Sequence, residues 1–320
     1  MPRQQTQSTA VQDSIVAVAH AKVNLHLGVG PLREDGYHDL VTVFQALSLS
    51  DELTLRPLQG HAARGEFVQR LEITSSDPRM SIGVPADHTN LAWKAAESLY
   101  AWHLDQGGAQ LPPVELELHK GIPTAGGMAG GSADAAAALR AVSAYLPGDV
   151  DTPTLLALAA ELGSDVPFTL LGETCLGTGR GENLVPMMSR GTYHWALAFA
   201  EEGLSTPRVF AKLDTLQRTP RLDTQALATA LISGDPREVA KYLHNDLQAA
   251  ALSIRPALRK TLEVGVAAGA LKGIVSGSGP TCAFLCESEA QAREVVAELQ
   301  LFGRAAYASG PDLGAYVKGM

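Results

Sequence analysis

The segment Pro123-Thr124-Ala125-Gly126-Gly127-Met128-Ala129-Gly130-Gly131-Ser132-Ala133 is where residue type and placement point most directly to chemistry. It follows Val114 to His119, which alternates apolar and polar residues as a half-buried strand does, and it opens into the Ala-rich run Ser132 to Tyr145, which reads as a helix. Residues without bulk let main chain approach a ligand closely. Free N–H groups at the start of a helix carry a partial positive charge that suits an anion. Ser132 can cap the helix or offer its hydroxyl to a phosphate or to Mg2+. A glycine-rich segment can also do no more than turn the chain. The position between strand and helix favours a phosphate site.

Other nucleotide and metal chemistries lack their residues. There is no G-x-x-x-x-G-K-[ST], no protein-kinase H-R-D or D-F-G set, and no G-x-G-x-x-G opening a βαβ unit. The nine histidines show no H-E-x-x-H spacing. Cys175, Cys282 and Cys286 show no C-x-x-C spacing, so buried thiols in a reducing compartment are expected rather than a zinc or redox centre. With 25 Lys plus Arg against 34 Asp plus Glu, the net charge is -9, and no broad basic surface for nucleic acid or anionic lipid is expected. Any phosphate must then be held locally. Met1 to Gln12 is polar, without the apolar core of a secretion signal, and no stretch reaches the roughly 18 apolar residues that span a bilayer. The expectation is a cytoplasmic globular protein with a short frayed start.

The rest of the chain must position the loop. Ser14 to His20 and Val23 to Val29 read as two strands, Leu40 to Leu49 and Glu52 to Leu55 continue the β-rich opening, and Asp35-Gly36 marks a turn. Phe67 to Thr74 is a further strand, and Asn90 to His103 has helical spacing. Pro153 to Leu162 reads as a helix ended by Gly163, Val166 to Leu171 as a short buried strand, and Gly177 to Gly181 as a turn where the domain changes. Beyond it come a strand at Trp195 to Ala200 and helices near Pro207 to Leu213, Leu222 to Ile232, Pro236 to Leu243 and Ile254 to Ala267. Strands at Gly273 to Val275 and Thr281 to Cys286 flank Ser276-Gly277-Ser278-Gly279-Pro280, followed by a helix from Glu289 to Leu299 and a strand near Ala305 to Ala308. The alternation is irregular, which favours α+β over a regular parallel winding.

The glycine loop resembles the second motif of the GHMP kinase superfamily. Ala21-Lys22-Val23-Asn24-Leu25, Asp35-Gly36-Tyr37-His38-Asp39-Leu40, Leu162-Gly163-Ser164-Asp165-Val166-Pro167 and Ser276 to Pro280 extend the likeness in order and spacing from about Ala21 to Phe284. One departure is Ala133, where many members carry a second serine. The resemblance implies a two-domain fold, with a nucleotide-binding half like ribosomal protein S5 domain 2 (1–184) and a ferredoxin-like, substrate-side half (185–320). It implies a small-molecule kinase that uses ATP and Mg2+, acts on an alcohol of a cytidine diphosphate-linked polyol in non-mevalonate isoprenoid synthesis, and is a monomer or homodimer.

The resemblance gives Asp165 as catalytic base and Lys22 as its partner. An ordinary aspartate, with a pKa near 3.9, cannot remove an alcohol proton at equilibrium, since each missing unit costs about 1.36 kcal/mol. The proton must leave late, as the hydroxyl bonds to phosphorus in a loose transition state. Lys22 would balance the carboxylate and stabilise the moving phosphoryl group. Tyr37, His38 and Phe210 stand where the family holds the cytidine. Asn24 shares a strand face with Lys22 and could bond polyol hydroxyls, and Thr206 is similarly placed. Asn90 and Lys94 open the helix that would border adenine, where capping and surface charge explain them about as well. A different kinase of the superfamily, or a catalytically silent nucleotide sensor, remains an alternative on the residues alone.

Overall fold

The computed structural model describes residues 14–320 except 35, 125 and 201. The expected frayed start, Asp35 of the turn and Ala125 of the glycine loop therefore lie outside the described residues. Along the chain run β1 (Ile15–Leu32), β2 (His38–Pro57), β3 (Val68–Thr74), α1 (Leu91–Asp105), β4 (Val114–His119), α2 (Gly130–Tyr145), α3 (Thr152–Leu162) and α4 (Val166–Leu171). They are followed by β5 (Thr174–Gly179), β6 (Asn183–Pro186), β7 (Tyr193–Phe199), α5 (Thr206–Asp214), α6 (Gln225–Ser233), α7 (Pro236–Tyr242) and β8 (His244–Asn245). The chain continues through α8 (Gln248–Ile254), α9 (Ala257–Ala267), β9 (Lys272–Val275), β10 (Cys282–Cys286), α10 (Glu289–Gln300), β11 (Arg304–Gly310) and β12 (Tyr316–Val317).

Two sheets organise these elements, in keeping with the α+β expectation. The first has the spatial order β12-β1-β2-β4-β3, with β5 and β6 continuing from one half of β2 and β8 beside β1. The second has the order β11-β7-β10-β9. Its chain sequence of strand, helices, two strands, helix and strand, with the fourth strand beside the first, is the ferredoxin-like arrangement. One face of the first sheet is covered by α2, whose Ala133, Ala135, Ala136, Ala137 and Ala138 are buried against Ala21, Val23, Leu25 and Leu47. Small side chains let the helix axis sit close to the strands, which fixes the height of its N-terminus above β1.

Five expectations are corrected. The two opening strands are the single β1, because register shifts between His20 and Ala21 and between Asn24 and His26 absorb the irregularity without ending the pairing. The two segments after it are likewise one strand, β2, whose first half pairs with β5 and second half with β4. Val166 to Leu171 is helix α4, not a strand; Pro167 sits in its first turn, where a fixed φ favours a helix start, and a short apolar run does not by itself distinguish the two states. The helix expected over Ile254 to Ala267 begins only at Ala257, as α9; Ile254 ends the preceding α8, and Arg255-Pro256 separate them, since proline cannot continue the preceding helix. Gly177 to Gly179 lie within β5, and the turn that follows closes a hairpin with β6.

Candidate active site

Two of the three register shifts between β1 and β2 bracket Lys22 and Asn24, which face the same side. Lys22 is 3% exposed, and its Nζ donates to Asn24 Oδ1 at 2.7 Å. Asn24 Nδ2 in turn donates to Thr42 Oγ1 at 2.8 Å, and Thr42 Oγ1 donates to the His26 carbonyl at 2.8 Å. The lysine also lies over the Phe44 ring, 5.4 Å from its centroid. An ammonium this deeply buried must be held by acceptors and counter-charge, and the relay fixes its direction. Thr42 is a functional candidate the sequence did not single out; its place opposite β1 on β2 is a matter of register.

The counter-charge is Asp165, whose Oδ2 lies 3.6 Å from Lys22 Nζ. Asp165 occupies the N-cap position of α4 without a side-chain cap hydrogen bond, so its carboxylate is turned to the lysine and not spent on the helix. Phe168, one helical turn on, stacks on Phe44 with centroids 4.8 Å apart, and thereby pins α4 to β2.

The glycine loop completes the site from above. The Lys22 N–H donates to the Met128 carbonyl at 3.2 Å, which ties the loop to β1. Ala129, the residue before α2, takes a left-handed conformation at φ 60°, a strained choice for a non-glycine residue, and no side chain caps the helix. The first N–H groups of α2 are thus left for a ligand. The second glycine segment interlocks with the first: Thr281 N–H donates to the Gly126 carbonyl and Ser276 Oγ to that of Gly127, both at 3.2 Å. A Cβ on Gly127, whose φ is 75°, would lie 2.4 Å from the Ser276 carbonyl oxygen, so only glycine fits there. Gly126, Gly127, Ala129, Gly130, Gly131, Lys22, Asn24, Asp165, Gly277 and Ser278 all line one cleft of about 360 Å³.

Beneath the loop lies an ionic group missed by sequence reasoning. Lys120, 1% exposed, donates from Nζ to both oxygens of Asp134 at 2.8 Å and to Oδ2 of Asp51. Asp51 Oδ1 accepts the N–H groups of Gly121 and Ile122 at 2.7 and 2.8 Å. Burial alone would lower the Lys120 pKa, but Asp134 and Asp51 outweigh it and raise it above the usual lysine value. Burial, then the charge of Asp51, holds Asp134 well above the usual carboxylate range. The group joins β2, the start of the loop and the first turn of α2, and a Cβ on Gly130 would lie 3.6 Å from Lys120 Nζ. One sequence signal could have found it: Asp134 is the lone charge in a run of alanines.

At the other end, His38 is buried, and its Nδ1–H donates to the Gly30 carbonyl at 2.8 Å, while its ring lies 5.4 Å from that of Phe210. His38 Nε2, 3.3 Å from Asp214 Oδ1, makes no aligned hydrogen bond. Tyr37 is 55% exposed. Phe210 and Thr206 line the cleft, and Thr206 Oγ1 meets Ser278 Oγ at 2.8 Å. Tyr37 and His38 stand beside the cleft rather than among its lining residues. Asn90 caps α1, accepting from Ala92 N–H at 2.8 Å and donating to the Pro85 carbonyl, and Lys94 is exposed on the same helix. That helix start borders the loop, since Leu91 Cδ1 lies 3.5 Å from where a Cβ on Gly131 would be. Pro123, Met128 and Ala133 are buried supports of the loop, Thr124 reaches the Ile82 carbonyl, and Ser132 is half-buried in the first turn of α2. Cys175, Cys282 and Cys286 are buried, unpaired thiols; burial pushes Cys282 and Cys286 up to about 12 and Cys175 up to about 11. Among the described residues no helix is long and apolar enough to cross a membrane.

The geometry has counterparts in known proteins. The chain matches the family models for the GHMP kinases N terminal domain over residues 90–173 and the GHMP kinases C terminal region over residues 227–305. It is 60% identical over 308 residues to the 4-diphosphocytidyl-2-C-methyl-D-erythritol kinase of Corynebacterium diphtheriae, covering 96% of this chain and 98% of that one. It is 55% identical to the enzyme of the same name from Nocardia farcinica, covering 97% and 98%. A crystal structure of 4-(cytidine 5'-diphospho)-2C-methyl-D-erythritol kinase superposes with a TM-score of 0.73 at 34% identity, over 92% of this chain and 98% of the other. Homoserine kinase from Cytophaga hutchinsonii, at 18% identity and a TM-score of 0.69 over 98% and 100%, shares the fold.

Proposed function

The chain belongs to the GHMP kinases, in the branch of the 4-diphosphocytidyl-2-C-methyl-D-erythritol kinases, and from that premise we propose that it phosphorylates the 2-hydroxyl of 4-diphosphocytidyl-2-C-methyl-D-erythritol with ATP. The observation that carries the reading is the Lys22–Asp165 pair, 3.6 Å apart, in the same cleft as the glycine-lined start of α2. A binding protein needs the glycines alone. Transfer needs the pair as well.

In this reading the triphosphate rests on main-chain N–H groups of residues 126–131, where the partial charge of the helix start opposes the anion. Asp165 accepts a hydrogen bond from the acceptor hydroxyl and orients it in line with the γ-phosphorus. As the new O–P bond forms, the bond to the β–γ bridging oxygen breaks, its electron pair leaves on ADP, and the hydroxyl proton passes to Asp165. Lys22, fixed by Asn24 and Thr42, stabilises charge on the moving group. For Mg2+ the carboxylate that lines the cleft is Asp165; Ser132, in the first turn of α2, is not among the lining residues, and a Mg2+ held mainly by nucleotide oxygens and water would need only one or two protein donors. When bound it would neutralise phosphate charge.

The cytidine end requires a flat surface and a matched edge. Tyr37 offers an exposed ring. His38, its Nδ1–H committed to the Gly30 carbonyl and its ring beside Phe210, would form the wall behind the base. Residues from both parts expected from the sequence, 1–184 and 185–320, line the cleft, and the buried free thiols support a reducing, cytoplasmic setting. Incubating the purified protein with ATP and each candidate alcohol tests the reading. Conversion of the cytidine-linked alcohol to its 2-phosphate with ADP release is expected, and preference for mevalonate or homoserine would overturn it.

A further inference from the structure

The substrates assigned above bring two separate polyanions into one cleft, a triphosphate and a diphosphate. Main-chain N–H groups meet the first. Among the described residues that line the cleft, only Lys22 and Arg180 are cationic. Lys22 is engaged at the transfer point by Asp165 and Asn24. The acceptor's diphosphate therefore needs a different counter-charge, and Arg180 is the remaining one.

Its position suits the task. Arg180 occupies the turn of the β5–β6 hairpin, and β5 runs antiparallel to β2 with Gly179 opposite Leu40. That register carries the turn alongside Tyr37 and His38, and the Arg180 guanidinium lies over the Tyr37 ring, 5.6 Å from its centroid. The turn is tight: Gly181, at φ 110°, donates its N–H to the Thr178 carbonyl at 3.1 Å. It is also anchored to the site, because a Cβ on Gly177 would lie 2.9 Å from the Phe44 ring that supports Lys22. Arg180 is thus presented by a short, packed hairpin rather than by a long loop.

The guanidinium is also available. Its ion-pair partner, Glu182, lies 3.7 Å away, with the Arg180 side chain 46% exposed. A pair so long and so hydrated holds its members weakly. Glu182 is better engaged by the Arg180 main-chain N–H, which it accepts at 2.7 Å, so the guanidinium can turn to a stronger acceptor while the turn keeps its shape. A planar fork of N–H donors matches two phosphate oxygens at once, and stacking on Tyr37 restricts its orientation beforehand.

We propose that Arg180 binds the diphosphate of the acceptor and makes this site selective for a nucleoside diphosphate-linked alcohol over a small uncharged or singly charged one. The proposal rests on the function assigned above, and its role is recognition at the mouth of the cleft, separate from the chemistry at Asp165. It predicts a split between parameters. Arg180→Gln raises the acceptor KM by about ten-fold or more, as loss of a charged hydrogen bond does, while kcat and the ATP KM stay within about two-fold. Arg180→Lys, which keeps the charge without the fork, falls between the two.

A binding measurement on the wild-type protein, Arg180→Gln and Arg180→Lys separates the diphosphate from the base. Titration with cytidine 5'-diphosphate should show the loss in Arg180→Gln, and titration with cytidine should not. Equal loss of both ligands would overturn the proposal, since Arg180 would then act only by holding Tyr37. An unchanged acceptor KM in Arg180→Gln, with wild-type turnover intact, would overturn it while leaving the kinase reading in place. Wild-type protein that turns over ATP with another alcohol but not with the cytidine-linked one would instead remove the functional reading, and the proposal with it.

Discussion

The two ends of the cleft are built differently. The end proposed for the nucleotide is main chain on a buried support: Met128 and Ala133 are inaccessible, and Lys120, Asp51 and Asp134 lock the loop to β2 and α2 from below. The end proposed for the acceptor is side chains on a rim, with Tyr37 and Arg180 about half exposed and Phe210 half-buried. A triphosphate presents the same oxygens whatever the acceptor, so a rigid cradle can serve any relative. On the proposed reading, selectivity for the acceptor falls to the rim, where exchanges disturb little packing. On this contrast, damage at the centre should abolish turnover, damage beneath the loop should cost stability, and damage at the rim should change KM.

The largest effect is expected at the centre. Asp165→Asn should lower kcat by about 10²- to 10⁴-fold, the usual worth of a positioned general base, with ATP affinity within a few-fold of wild type. Steady-state kinetics with equilibrium nucleotide titration checks both. Lys120→Met should come next, as a stability defect of about 3 to 5 kcal/mol, because it leaves two carboxylates buried without their cation. Denaturant unfolding of wild type and variant measures it.

Tyr37→Ala should weaken the acceptor by about 1 to 3 kcal/mol, the range for an aromatic ring stacked on a base, and should appear in KM rather than kcat. If kcat fell instead, rim and centre would not be separable. Asp134→Asn is expected to be mild, within about 1.5 kcal/mol, since it keeps a matched Lys120–Asp51 pair. Its pH dependence sharpens the point. The Asp134 pKa is raised in the folded state, so its contribution is fully present below the ordinary aspartate value near 3.9 and is lost as pH rises toward the folded value. Relative to wild type, the variant should gain stability as pH rises above about 4, as unfolding curves across pH would show. The smallest effect concerns the thiols: buried and raised to about 11 to 12, they should leave turnover unchanged after iodoacetamide treatment of the native protein at pH 8.

How much of this the sequence disclosed follows the same division. The nucleotide end was legible because its physics is local: glycines, a strand before them and an Ala-rich helix after them are contiguous, and β4 and α2 stand where the pattern put them. Lys22 and Asn24 were legible as a same-face pair, since strand period is local too. The Lys120 group was not, because Asp51 and Asp134 come from segments far apart in the chain that only the packing of α2 on β2 brings together. Arg180 was hidden differently. Its glycines read as a boundary, and nothing local tells a hairpin turn from a linker when the partner strand, β2, lies far back in the chain. Val166 to Leu171 reads as a strand because a short, largely apolar run fits either state until Pro167 and the packing of Phe168 on Phe44 decide it.

The most direct test is a crystal structure of the protein with the cytidine-linked alcohol and a non-hydrolysable ATP analogue. The phosphates should lie on the N–H groups of residues 126–131, with the acceptor hydroxyl about 3 Å from an Asp165 carboxylate oxygen and Lys22 beside the γ-phosphate. Phosphates seated away from the glycine loop, or an acceptor hydroxyl turned from Asp165, would contradict it.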